Sequence, residues 1–142
     1  MFVGAKDKNV PESKKGLYGS VWTWVAIDAD SKLIPSWRIG PRDGHVAYEF
    51  MTDLAGRLRH RVQLTTDRHR PYLDAVEDSF GCDIDYAMLI KMYGNDPGDE
   101  KRYSPAQCVG TRLVPIMGDP DPKHISTSYV ERQNLTMRMC MR

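Results

Sequence analysis

Apolar residues along the chain change their spacing several times, and each change marks an element. Val21-Trp22-Thr23-Trp24-Val25-Ala26-Ile27 is dense in β-branched and aromatic side chains, and the polar run Asp28-Ala29-Asp30-Ser31 closes it with a turn. Leu33 to Ile39 resumes the pattern, so the two runs predict a hairpin. Asp43 offers a short acceptor suited to a helix N-cap, and after it Val46, Ala47, Phe50, Met51, Leu54 and Leu58 recur at three- and four-residue spacing. That spacing predicts an amphipathic helix ending near His60. Val62 to Thr66 reads as a short strand leading directly into Asp67. A second helix is expected from Pro71, a residue tolerated in a first turn, with Leu73, Val76 and Phe80 on one face and Gly81 as its stop. Ile84 to Ile90 predicts a further strand.

The ends of the chain are less regular. Phe2-Val3-Gly4-Ala5 reads as the tail of an extended segment, and Lys6 to Gly19, with Pro11, Gly16 and Gly19, as a loop. Lys91 to Ser126 carries Pro97, Pro105, Pro115, Pro120 and Pro122, and only Cys108 to Met117 looks like a strand, so a long loop or insertion is expected. Thr127 to Arg142 reads as a helix, with Val130, Met137 and Met141 on a buried stripe and Glu131, Asn134, Leu135 and Arg138 on a polar face. The order strand, hairpin, helix, strand, helix, strand, insertion, helix implies an α/β fold, a mixed sheet flanked by helices.

At 142 residues with 41% apolar content, the chain is sized for a single domain, residues 1–142, with a real core. Net charge is only +1, so attraction to a polyanion must come from distribution. Arg57, Arg59, Arg61, Arg68 and Arg70 surround Asp67, and Lys123, Arg132, Arg138 and Arg142 surround Glu131. Cys82, Cys108 and Cys140 form no Cys-x-x-Cys pair, which argues against a disulfide framework and a thiolate zinc site and fits a reducing, cytoplasmic setting. No apolar run approaches the ~20 residues of a membrane span, and the N-terminus lacks the order of a signal peptide.

Asp67 sits where a strand ends, a place where ligand-binding acids of open α/β sheets lie, and equally a place for a turn or cap. Glu131 has a structural explanation of its own, a capping box Ser128-x-x-Glu131, although a carboxylate in a helix's first turn can also point at a metal. His69 and His124 are read as solvated side chains or phosphate donors rather than as ligands. Trp22, Trp24 and Trp37 are expected to pack on the sheet rather than to stack on bases.

Several longer stretches resemble one family. Phe2-Val3-Gly4-Ala5-Lys6-Asp7-Lys8-Asn9, Val21 to Asp30, Val62-Gln63-Leu64-Thr65-Thr66-Asp67, Lys101-Arg102-Tyr103-Ser104-Pro105 and His124 to Thr136 are similar to DDE transposases of the bacterial insertion-sequence-one group. The resemblance implies a ribonuclease-H-like core in which three carboxylates bind two divalent metals, Mg²⁺ or Mn²⁺, for cleavage and strand transfer of DNA. By motif, Asp67 resembles the second acid and Glu131 the third, and Arg68, Arg70, Arg132 and Arg138 are expected to contact DNA phosphates. Transposon ends and target DNA are the implied partners, with a homo-oligomer and no membrane. The family's first acid lies in an Asp-Glu-x-Trp stretch immediately before the Phe-Val-Gly-Ala element, hence upstream of Met1, so a truncated first strand and an impaired activity are expected. Asp28, at the end of the hairpin's first strand, is the nearest substitute. Arg68 also replaces the glycine usual after the second acid. The alternative is a non-catalytic DNA-binding remnant or an inhibitor of intact transposase.

Overall fold

The computed structural model describes residues 2–3, 9–14, 20–94 and 108–140. Strands β1 (Phe2–Val3), β2 (Val21–Val25) and β3 (Trp37–Gly40) form an antiparallel sheet in that order. The expected hairpin is present, but its second arm joins the ladder only at Trp37, which pairs with Val25. Three local features delay it. The Asp28 carboxylate accepts from the backbone N–H and hydroxyl of Ser31, curling the turn on itself, and Lys32 takes a left-handed φ of 63°. Pro35, moreover, has no N–H to donate.

Alternation along the strands decides the fate of the tryptophans. Trp24 is buried, Trp22 packs against the same core two residues earlier, and Arg38, opposite Trp24, reaches Glu49 of the first helix at 3.0 Å. Trp37 lies opposite Val25 on the other face and is 65% exposed, so its expected packing role is corrected.

The second sheet is mixed. β4 (Gln63–Thr66) runs parallel to β5 (Asp85–Tyr93), and β6 (Cys108–Met117) pairs antiparallel to β5. β6 thus coincides with the strand-like part, Cys108 to Met117, of the proline-rich stretch. Pro115 is accommodated by a register shift, in which Tyr86 faces Met117 while Ala87 faces Pro115 and Ile116 is skipped.

Helix α1 (Gly44–Arg57) starts as expected, with the Asp43 carboxylate accepting from the Val46 N–H at 2.9 Å, and buries Val46, Ala47, Phe50, Met51 and Leu54. Helix α2 (Pro71–Phe80) crosses from β4 to β5 and ends at Gly81, whose φ is +55°. Its buried residues are Ala75 and Val76, with Tyr72 and Phe80 partly covered, whereas Leu73 is 36% exposed; the stripe lies to one side of the expected one. Both helices enclose one core with Trp24, Ile84, Tyr86 and Met88. On this face the Thr66 and Tyr86 hydroxyls meet at 2.8 Å, out of water.

Gln63 points to the opposite face. Its side-chain amide exchanges hydrogen bonds of 3.0 and 2.8 Å with the backbone of Asp121, which draws the segment after β6 across that face. Pro120, Ile125 and Thr127 are buried there. Helix α3 (Ser128–Cys140) follows and has no buried residue. The expected stripe is thus only half-formed: Val130 and Met137 are half-buried, and Met141 lies outside the described residues, as do residues 4–8 and the Lys101–Pro105 stretch. Among the described residues, no helix is long and apolar enough to cross a membrane.

Candidate functional site

Asp67 is the first residue after β4. Its Oδ1 accepts from the His69 N–H at 3.0 Å, the turn that an Asp at a strand end makes readily, and its Oδ2 faces the Arg42 guanidinium at 3.3 Å. The carboxylate is otherwise open, with the side chain 58% exposed. Arg42 is held over the Trp22 ring, 4.9 Å from its centroid, so the cation beside Asp67 is itself anchored on the first sheet. Behind the turn, the His69 ring packs against Trp24 and Tyr72 at 5.5 and 5.4 Å between centroids. Burial among these rings, with Arg42 nearby, pulls the His69 imidazole below its ordinary pKa, and burial together with the Asp67 charge pushes the Tyr72 phenol up. His69 is thus a packing residue that fixes the Asp67 turn, in place of the solvated role expected for it.

Glu131 lies in the first turn of α3, but the expected capping box is not formed. Ser128 is already helical, its hydroxyl pairs with that of Ser126 at 2.7 Å, and the Glu131 N–H bonds the Thr127 carbonyl at 3.1 Å. The carboxylate instead accepts from the Thr127 hydroxyl at 2.7 Å and from the Lys91 ammonium at 2.6 and 2.5 Å, one contact to each oxygen for the latter. Partial burial on its own raises the Glu131 carboxyl, but the Lys91 and Thr127 hydrogen bonds outweigh it and hold the group below its ordinary value. Lys91 is correspondingly raised, chiefly by its bond to Glu131. Lys91 is 29% exposed and Glu131 49%, so this charge-assisted contact faces water on one side only.

The parallel register relates the two acids. Thr66 is opposite Met88, so Asp67 leaves β4 at the level of Leu89, and Lys91 stands two residues further along β5, a rise of about 7 Å. Both carboxylates therefore belong to the C-terminal end of the β4–β5 pair, one following a strand and the other tied down to its neighbour. Alternation puts Lys91 on the same face as Ala87, away from α1 and α2, which is the face that the segment leading to α3 crosses.

The basic clusters divide on inspection. Arg57 is bound to Asp53 through two contacts of 2.9 Å, and Arg61 to Asp85 at 2.7 Å and to the Cys82 and Ile84 carbonyls, so both serve the fold. Arg68 and Arg70, on the turn after Asp67, and Arg132 and Arg138, on α3, are exposed and make no ion pair among the described residues. His124 is exposed and faces Asp121 at 3.4 Å. The Asp28 carboxylate is turned onto Ser31 and the Asp30 N–H, which also lowers its pKa, and is committed to its own turn.

Sequence reasoning did not single out Arg42 or Lys91. The signal for Lys91 was a lone charge ending the apolar run Tyr86 to Ile90; Arg42, next to a helix cap, carried none. Among the described residues no group of three His, Cys, Asp or Glu side chains is assembled to hold a metal ion. The donor chemistry of Asp67 and Glu131, carboxylate oxygens partly open to solvent, is of the kind that suits a hard divalent ion, although each is engaged by a cation of the chain. Comparison of the chain with protein-family models, with curated proteins and with solved structures returned no match.

Proposed function

We propose that this chain is a core of the DDE transposase type, with a ribonuclease-H-like arrangement, and that Asp67 and Glu131 are two of the carboxylates that hold divalent metal for phosphoryl transfer on DNA. The observation carrying the reading is that both acids sit at the C-terminal end of the parallel β4–β5 pair, from opposite sides in sequence. The order hairpin, helix, strand, helix, parallel strand supports the same fold, as does the packing of α1 and α2 on one face.

In this reading Asp67 and Glu131 hold Mg²⁺ or Mn²⁺, which when bound activates a water or a 3′-hydroxyl and stabilises the leaving oxygen. Arg68 and Arg70 flank Asp67 and donate to the DNA backbone, and Arg132 and Arg138 do so along α3, fixing the strand without reading its sequence. Transposon ends and target DNA are the substrates, and assembly into a homo-oligomer would bring two ends together.

The second reading is a DNA-binding module that does not cut. It is favoured by the absence of a three-carboxylate group among the described residues and by the cation already on each acid. Nicking of supercoiled plasmid in Mn²⁺ separates the two, using the chain itself and a version preceded by Asp-Glu-x-Trp. The first reading expects metal-dependent nicking in at least the extended version, abolished by Asp67→Ala and by Glu131→Ala. Nicking that survives in both variants would sink it, and binding without nicking in either version would establish the second.

A further inference from the structure

The contact between Lys91 and Glu131 differs from the other ion pairs on the surface. Arg57–Asp53 and His45–Glu49 join residues one turn apart on α1, where they add little to an already formed helix. Lys91 and Glu131 join a sheet strand to a helix that buries none of its own residues. A second side-chain contact reaches the start of α3 from the turn between β2 and β3: the Lys32 ammonium rests over the Tyr129 ring, 3.8 Å from its centroid. The full apolar burial that docks α1 and α2 is reduced in this helix to the half-buried Val130 and Met137.

The stoichiometry of the contact is also particular. A carboxylate has about four acceptor positions, and here the single ammonium spans both oxygens while Thr127 takes one more. The Lys91 nitrogen thus sits where a cation bound in bidentate fashion by Glu131 would sit. An ammonium and a divalent ion cannot share that place.

We propose that Lys91 is a built-in counter-cation that docks α3 on β5 in the absence of metal, and that a divalent ion must displace it from Glu131 to bind. This rests on the assignment of Glu131 as a metal ligand. Lys91 is then a positioning residue: it pre-sets the helix and competes with the metal, so the site exchanges one cation for another rather than folding around the ion.

Two readouts on the full chain test this, Mn²⁺ affinity by titration calorimetry and amide hydrogen exchange of α3. Lys91→Met removes the competitor and keeps the apolar stem, so Mn²⁺ should bind about two- to fivefold more tightly, the worth of a partly exposed pair. Without metal the α3 amides should exchange faster than in the parent chain, and saturating Mn²⁺ should restore their protection. Lys91→Arg, which can still span the carboxylate, should behave like the parent in both. If Mn²⁺ binds in an Asp67-dependent manner but no more tightly to Lys91→Met, the competition is refuted while the metal assignment stands. If Mn²⁺ binds none of these proteins, the metal assignment and the displacement fall together. Unchanged α3 exchange in Lys91→Met would refute the docking role whatever the metal does.

Discussion

Asp85 illustrates how a charged side chain can be structural even at the surface. Arg61 grips both of its oxygens, at 3.0 and 2.7 Å, and the Asp119 N–H adds a third bond of 2.8 Å. Gly118 makes this possible: its φ is +69°, and a Cβ there would collide with the Asp85 and Arg61 side chains and with the Ile84 carbonyl. The Arg61 hydrogen bonds, then that of Asp119, hold the Asp85 carboxyl down at about 2. An unfolded Asp titrates at about 3.9, so between these values the unfolded chain binds more protons than the folded one, and stability decreases as pH is lowered across that window. The contribution is complete above the unfolded value and lost as pH drops through the folded one. Asp85→Asn should therefore flatten the acid limb of the melting temperature against pH below about pH 4. An identical acid limb in variant and parent would show that the pair is not a source of acid lability. Residues of this kind are invisible to pattern reading, because Arg61, Asp85, Gly118 and Asp119 are brought together by the end of a βαβ unit and the end of β6 rather than by spacing. Asp67 was legible as a strand-end acid from local chemistry, whereas the capping box read around Glu131 does not form, and it was the family resemblance that singled both out as candidate ligands. Their partners Arg42 and Lys91 come from other elements and were not legible.

The elements were legible where one face is covered and the other wet. α1 shows the full pattern, from the Asp43 cap to Leu54, and its start was readable to the residue. Asp43→Ala removes the acceptor for the Val46 N–H and should cost about 1 kcal/mol, within a range of roughly 0.5–2, in urea unfolding. No loss would mean that water replaces the cap freely. α2 was placed correctly and its stripe in part: Val76 and Phe80 lie against the core as expected, but packing against α1 and the sheet together also draws in Tyr72 and Ala75 and leaves Leu73 outward. β6 was legible within the proline-rich stretch, Cys108 to Met117 being its strand-like part, whereas the bulge that accommodates Pro115 was not, because it depends on the register against β5. α3 was readable as a helix, whereas the absence of any fully buried residue on it was not, because periodicity marks an apolar stripe without saying how deeply it is covered.

For the molecule as a whole, affinity for DNA would have to arise from a few uncompensated cations, because the net charge is +1. The fold has already used part of its basic residues: Arg57 and Arg61 are neutralised by Asp53 and Asp85, and Arg42 and Lys91 by the two candidate ligands. Arg68, Arg70, Arg132 and Arg138 remain exposed and without an ion pair among the described residues. Each cation that neutralises a phosphate releases counter-ions, and contributes about 0.9 to the slope of log affinity against log salt. If Arg68 and Arg70 both contact the backbone, the double variant Arg68→Ala with Arg70→Ala should reduce that slope by about 2 and weaken binding similarly for unrelated sequences. Arg57→Ala is the informative control. Removing it deletes one formal charge from the same stretch, half of what the double variant loses, but Arg57 spends its guanidinium on Asp53, whose carboxylate would then lack its cation. It should leave the number of phosphate contacts, and so the slope, unchanged. Fluorescence anisotropy with a labelled duplex across a salt series measures both slopes. Equal effects per charge removed in the double variant and in the Arg57 control would mean that the chain attracts DNA through its general field, and that the turn after Asp67 is no part of the interface.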